Sequence, residues 1–141
     1  MDSIRLAQGT DAGALCTLHQ APRHDSSRVA FIERSIAGRA CYVATADEML
    51  IGYSVLEYSF YENGFVSVLY VHPDYRRQGK GLALMLHMET VCRTAKLFTS
   101  TNESNLAMQS LLSKLCYLPS GIIHNLDEGD PELVYFKHLK P

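Results

Sequence analysis

The spacing of apolar residues switches repeatedly between a period near two and a period near 3.6, and each switch predicts a new element. Residues 3–7 read as a short strand. Thr10 is placed to cap a helix over 11–20. Asp25 or Ser26 can cap a second helix, which shares Val29, Ile32 and Ile36 on one face and ends at Gly38. Pro22 separates the two. Strand-like runs follow at 41–45, 50–61 and 65–71, the last two joined at Asn63-Gly64, a favoured two-residue hairpin turn. They predict an antiparallel meander.

Beyond residue 81 the period lengthens again, with Leu84, Met85, Met88, Val91, Cys92 and Ala95 on one stripe and His87, Glu89, Thr90, Arg93 and Thr94 elsewhere. Residues 97–101 read as a strand. A helix starting near Ser104 then gathers Met108, Leu111, Leu112 and Leu115 on one face. Two terminal strands, 116–126 and 133–139, flank the acidic turn Asp127-Glu128-Gly129-Asp130-Pro131. The order β-α-α-β-β-β-α-β-α-β-β is that of a mixed α/β domain.

Composition narrows the setting. A chain of 141 residues fits one domain over 1–141, and 47% hydrophobic with 20% charged residues marks a globular protein. The net charge of -2 offers no general attraction to nucleic acid or to an anionic membrane. No apolar run approaches the roughly 20 residues that cross a bilayer, and MDSIRLAQGTD lacks a signal-peptide core, so a cytoplasmic location is expected. Cys16, Cys41, Cys92 and Cys116 form no C-x-x-C pair, and each lies in an apolar segment as a small core residue would. The six histidines show no ligand spacing, so neither metal nor disulfide is expected.

The candidate chemistry lies in Arg76-Arg77-Gln78-Gly79-Lys80-Gly81, between a strand and a helix. Two glycines let the backbone approach a ligand closely, and unpaired N–H groups at a helix start favour a phosphate or pyrophosphate. A helix entry with solvated basic residues gives the same pattern. A Walker A loop is excluded, because the positions for its first glycine and its Ser/Thr hold Asp74 and Gly81. A G-x-G-x-x-G fingerprint fails at Leu84 and lacks the parallel unit it requires.

The loop resembles the Q/R-x-x-G-x-G/A motif of the GNAT acetyltransferase superfamily. VHPDY looks like the usual approach to that motif. Asn105 stands where the family's second motif, N-x-x-A-x-x-L-Y-x-x-x-G-F, begins, and the element order is similar over essentially the whole chain. The resemblance implies a GNAT-like fold, with a mixed, largely antiparallel sheet of about seven strands flanked by about four helices. It also implies that Arg76, Arg77, Gln78, Gly79, Lys80 and Gly81 hold the pyrophosphate of acetyl-coenzyme A. The pantetheine arm would meet the backbone of Leu69 and Val71 and the side chain of Asn105. Asn105 reads equally as a helix cap.

The catalytic positions depart from the family pattern. Leu112 stands for the tyrosine that protonates the leaving thiolate in many relatives, and Ser100 for the glutamate base of the ribosomal-protein type. Met108 and Cys116-Tyr117 replace the small residue and G-F. Substitutes by position are Glu57 as base and Tyr117 as acid, with Tyr70 and Tyr135 behind them. Glu57 also reads as a solvent-facing strand residue, and Tyr117 as a packing aromatic. Ser100 and Asn102 could position a relaying water. The acidic residues Asp127, Glu128, Asp130 and Glu132 either attract a cationic amine or form a solvated turn.

The resulting expectation is acetyl transfer from acetyl-coenzyme A to a small cationic amine or a peptide N-terminus, without metal. An acyl-coenzyme A sensor without turnover is the alternative. A charged tRNA would have little beyond Arg23, Arg28 and Arg34 to hold it, so no nucleic-acid partner is expected. Exposed strand edges leave a homodimer open.

Overall fold

Seven strands and four helices follow one another as β1 (Ser3–Leu6), α1 (Ala12–Leu18), α2 (Ser26–Ala37), β2 (Cys41–Ala46), β3 (Met49–Phe60), β4 (Asn63–Val71), α3 (Lys80–Val91), β5 (Lys96–Asn102), α4 (Leu106–Lys114), β6 (Leu118–Ile123) and β7 (Glu132–His138). This computed structural model describes residues 2–18 and 26–139. His19, Pro22, Arg23, His24 and Asp25 lie outside the described residues, as does the end of the helix expected over 11–20. The sheet has the order β1-β2-β3-β4-β5-β7-β6. β4 and β5 run parallel, as a strand pair joined by the crossover helix α3 must, whereas β1–β2, β2–β3, β5–β7 and β6–β7 are antiparallel. This is the mixed, largely antiparallel seven-stranded sheet that the family resemblance implies.

The chain divides into two compact units, Met1–Leu56 with Val68–Met88 and Glu57–Ser67 with Glu89–Pro141. In the first, Leu15, Leu18 and Ile32 from the two N-terminal helices bury against Cys41, Val43, Tyr53 and Val55. Ala44, Ala46 and Ile51 pack with Leu84 of α3, joined by Leu69, Val71 and Tyr75. Burial pushes the Cys41 thiol up to about 12 and the Tyr53 hydroxyl likewise to about 12, so both stay neutral at physiological pH. The first helical segment opens at Gln8 rather than Thr10. Asp11 closes a capping box by accepting from the Gln8 N–H at 2.7 Å, and it receives both arms of Arg5 at 2.8 and 3.1 Å. The Arg5 guanidinium holds the Asp11 carboxyl below its ordinary range.

In the second unit Leu97 and Leu112 are fully buried, and Val66, Cys92, Tyr117 and Val134 nearly so. β6 is an outer strand whose six residues are all exposed, and Pro119 suits such an edge.

Three local expectations are corrected. The β3–β4 turn is Tyr61-Glu62, with φ of 51° and 66°, and not Asn63-Gly64, which begins β4. Gly64 is glycine for another reason: a Cβ there would stand 2.5 Å from the Cys92 Sγ. α2 ends at Ala37, just before Gly38 as expected, and Arg39 then takes the left-handed conformation, with φ of 57°. Cys116 is exposed, unlike a core cysteine, and the α3 stripe stops short of Ala95, which is exposed as well.

Candidate functional site

In the first unit, β4 leads through His72 into a 3-10 turn over Pro73–Tyr75, which the His72 Nδ1 caps by accepting from the Asp74 N–H at 3.0 Å. The chain then runs through residues 76–79 into α3. Arg77 and Gly79 both take left-handed conformations, with φ of 63° and 81°. A Cβ at Gly79 would meet nothing within 4 Å, so backbone conformation, not space, selects glycine there. Among the described residues no acceptor meets the N–H groups of Gln78, Gly79, Lys80 or Gly81. Four open donors at the positive end of a 12-residue helix fit a diphosphate.

The basic residues around this turn do different work. Arg76 donates from Nε to the Val71 carbonyl at 2.7 Å and lies 5.4 Å over the Tyr70 ring, which ties the turn to the end of β4. Lys80 pairs with Asp2, and that hydrogen bond lowers the Asp2 pKa. Arg77 is exposed and has no partner among the described residues, leaving its guanidinium available to an anion. Leu69 and Val71 turn their side chains into the cluster around Leu84.

The remaining candidates lie in the second unit. Asn105 caps α4, its Oδ1 accepting from the Met108 N–H at 3.1 Å. Leu112 has 0% exposure, so a packing aliphatic side chain fills the position of the family tyrosine. Tyr117 is 3% exposed and donates to Glu89 at 2.9 Å, while Lys137 bonds both oxygens of Glu89 at 3.0 and 3.1 Å. Burial, reinforced by the Glu89 carboxylate, raises the Tyr117 pKa. Glu57 accepts from the Ser67 hydroxyl at 2.5 Å.

The acidic residues before β7 separate by role. Asp127 accepts from Asn102 at 2.9 Å, and Asp130 accepts from the Ser104 N–H at 3.0 Å and its hydroxyl at 2.6 Å, so both brace the loop. Glu132 instead accepts from Ser100 at 2.6 Å. Ser100 itself carries no carboxylate, yet β7 brings one to it. No sequence proximity signals this pairing, because Ser100 and Glu132 meet only through the β5–β7 register. Among the described residues no group of three or more His, Cys, Asp or Glu converges as a metal would require, and no helix is long and apolar enough to cross a membrane.

A family model described as the acetyltransferase (GNAT) family matches residues 12–116. The chain belongs to the GNAT family. A GNAT acetyltransferase from Bacillus cereus ATCC 10987 is 31% identical, with a TM-score of 0.91 over 98% of this chain and 97% of its own. The ribosomal-protein-S18-alanine N-acetyltransferase of Escherichia coli is 20% identical, with a TM-score of 0.84 over 100% and 96%. A protein from Salmonella typhimurium solved with its cofactor acetyl-CoA is 15% identical, with a TM-score of 0.78 over 99% and 94%. Curated protein sequences give no match.

Against the GNAT second motif, Cys116 occupies the glycine position and adopts φ of 70°. A non-glycine residue there costs about 1 kcal/mol. Because Cys116 is exposed, its side chain loses little on truncation. Cys116→Gly is therefore expected to stabilise the fold by about 0.5 kcal/mol after allowing for the greater entropy of an unfolded glycine, read as a higher urea midpoint at unchanged slope.

Proposed function

We propose that this GNAT protein transfers the acetyl group of acetyl-coenzyme A to a primary amine, either a small cationic amine or a peptide N-terminus. The observation that carries the reading is the turn into α3, with open N–H groups from Gln78 to Gly81 and the free Arg77 guanidinium beside them. These would hold the pyrophosphate, with Arg76 and Lys80 fixing the turn through Val71 and Asp2. The backbone of Leu69 and Val71 and the amide of Asn105 are assigned to the pantetheine arm by family position.

Bound acetyl-coenzyme A supplies an activated thioester carbonyl to the amine. An ordinary primary amine, with a pKa of about 10, arrives protonated and must lose a proton before it can attack. We assign that role to Glu57, whose carboxylate accepts from the Ser67 hydroxyl. For Tyr117 to act as the acid, its hydroxyl would first have to leave Glu89. Solvent can protonate a thiolate whose pKa is about 8.5 without it.

A second reading, an acyl-coenzyme A binding module without turnover, is favoured by the fully buried Leu112 at the tyrosine position. Coenzyme A release, followed with a thiol reagent across polyamines, alkyl and arylalkyl amines, amino acids and short peptides, separates the two. A blank without acceptor removes the contribution of the exposed Cys116. Acceptor-dependent release is expected; acetyl-coenzyme A binding without release from any acceptor would favour the binding module.

A further inference from the structure

The second unit carries a row of aromatic side chains across four strands. Phe65 of β4 stands opposite Phe98 of β5, which stands opposite Phe136 of β7. Phe60 of β3 closes the row, with its ring centroid 4.8 Å from Phe65 and 5.1 Å from Phe98, and Phe98 lies 5.7 Å from Phe136. All four rings are only partly buried. A core would cover such a row completely, since each ring loses contact energy on any side left open.

Two residues further along the strands the character changes. Ser67 follows Phe65 and holds Glu57; Ser100 follows Phe98 and holds Glu132. Strand alternation keeps Ser100 on the face of Phe98 and Glu132 on the face of Phe136. The β4–β5 ladder covers Gly64–Val66 against Leu97–Thr99, so both serines lie just past its end. Neither glutamate has a cationic partner among the described residues; each carboxylate is held by a neutral hydroxyl. On the other side of the row along the strands, Lys96 faces His138 in the register, so the cation-attracting side is the one with the glutamates.

We infer that this face is the acceptor-recognition surface and that it selects a primary ammonium group carried on an aromatic or apolar body. Glu132, oriented by Ser100, and Glu57, oriented by Ser67, draw the ammonium. The phenylalanine row takes the body, with the ring faces adding cation–π attraction near the charged end. The inference deepens the acetyl-transfer reading by naming its acceptor class, and it assigns Glu132 a binding role that the acidic turn alone did not suggest.

Calorimetric titration tests it with and without coenzyme A, which has no acetyl group to transfer. The probes are 2-phenylethylamine, n-hexylamine, ethylamine and 2-phenylethanol. Expected is binding of the first two at least about tenfold tighter than ethylamine, the loss of apolar body being worth about that factor or more, and tighter by a similar factor than the uncharged alcohol. Glu132→Gln should weaken 2-phenylethylamine binding about 10- to 100-fold. Ser100→Ala should weaken it less. Phe136→Leu, chosen to keep an apolar side chain of similar volume, should reduce the preference for 2-phenylethylamine over ethylamine while circular dichroism stays unchanged.

Equal affinity for ethylamine and 2-phenylethylamine, or unchanged affinity in Glu132→Gln, would overturn the inference, as would no amine binding in either state. Coenzyme A release with spermidine or peptides but none with 2-phenylethylamine or n-hexylamine would also overturn it while leaving acetyl transfer standing. Selective 2-phenylethylamine binding with no release from any acceptor would support this surface and remove the transferase reading.

Discussion

Gly81→Glu is expected to raise the dissociation constant for acetyl-coenzyme A at least about 100-fold, since a carboxylate about 4 Å from a phosphate costs about 4 kcal/mol at an effective dielectric near 20. Gly81 is the second residue of α3, beside the open N–H groups of Gln78, Gly79 and Lys80. The substitution separates binding from folding. An acidic residue in the first turn of a helix is favourable for the helix itself, and glutamate has a better helix propensity than glycine. The melting temperature should therefore hold or rise while affinity is lost. Isothermal titration with acetyl-coenzyme A, alongside thermal denaturation, reads both. Unchanged affinity in a folded variant would remove the pyrophosphate from this helix start, and with it the observation that carries the proposed function.

The element order and the anion-binding turn were legible because they rest on local chemistry. Periodicity locates strands and helices, and the glycines of RRQGKG stand where the chain passes from β4 to α3. Local reasoning fails where a residue answers to a distant one. Asn63-Gly64 has the composition of a type I′ turn, but Gly64 is required by Cys92, while Tyr61-Glu62 makes the turn. Arg76 and Lys80 read as ligand cations until the fold gives them Val71 and Asp2. Cys116 looks like core by its neighbours and is exposed by its backbone conformation.

The candidate acceptor surface was hidden for a topological reason. Phe65, Phe98 and Phe136 are separated by more than thirty residues at each step along the chain. Phe65 meets Phe98 through the parallel β4–β5 pair, and Phe98 meets Phe136 because β7 inserts between β5 and β6, so sheet order differs from chain order. The same insertion brings Glu132 to Ser100, which no spacing in the sequence announces.

Gly52→Ala should be the most damaging single-methyl change in the first unit, with an expected loss of about 3 kcal/mol and a fall in melting temperature of about 10 °C. Gly52 is buried in β3, and a Cβ there would stand 2.7 Å from the backbone oxygen of Tyr70, 3.4 Å from the Val71 Cα and 3.5 Å from Leu84 Cδ1. A carbonyl oxygen cannot rotate away as a side chain can, so β4 itself must move. The consequence for binding follows from position. Val71 anchors Arg76 through its carbonyl, and Arg76 fixes the turn that presents the open N–H groups. Displacing Tyr70 and Val71 should therefore weaken acetyl-coenzyme A by about tenfold even where the variant remains folded, because a loosened turn must be ordered on binding. A lower melting temperature with unchanged affinity would mean that the Lys80–Asp2 pair positions the turn independently of β4. Loss of both would show that the glycine in the middle of a strand, far from any motif, sets the geometry on which the anion site depends.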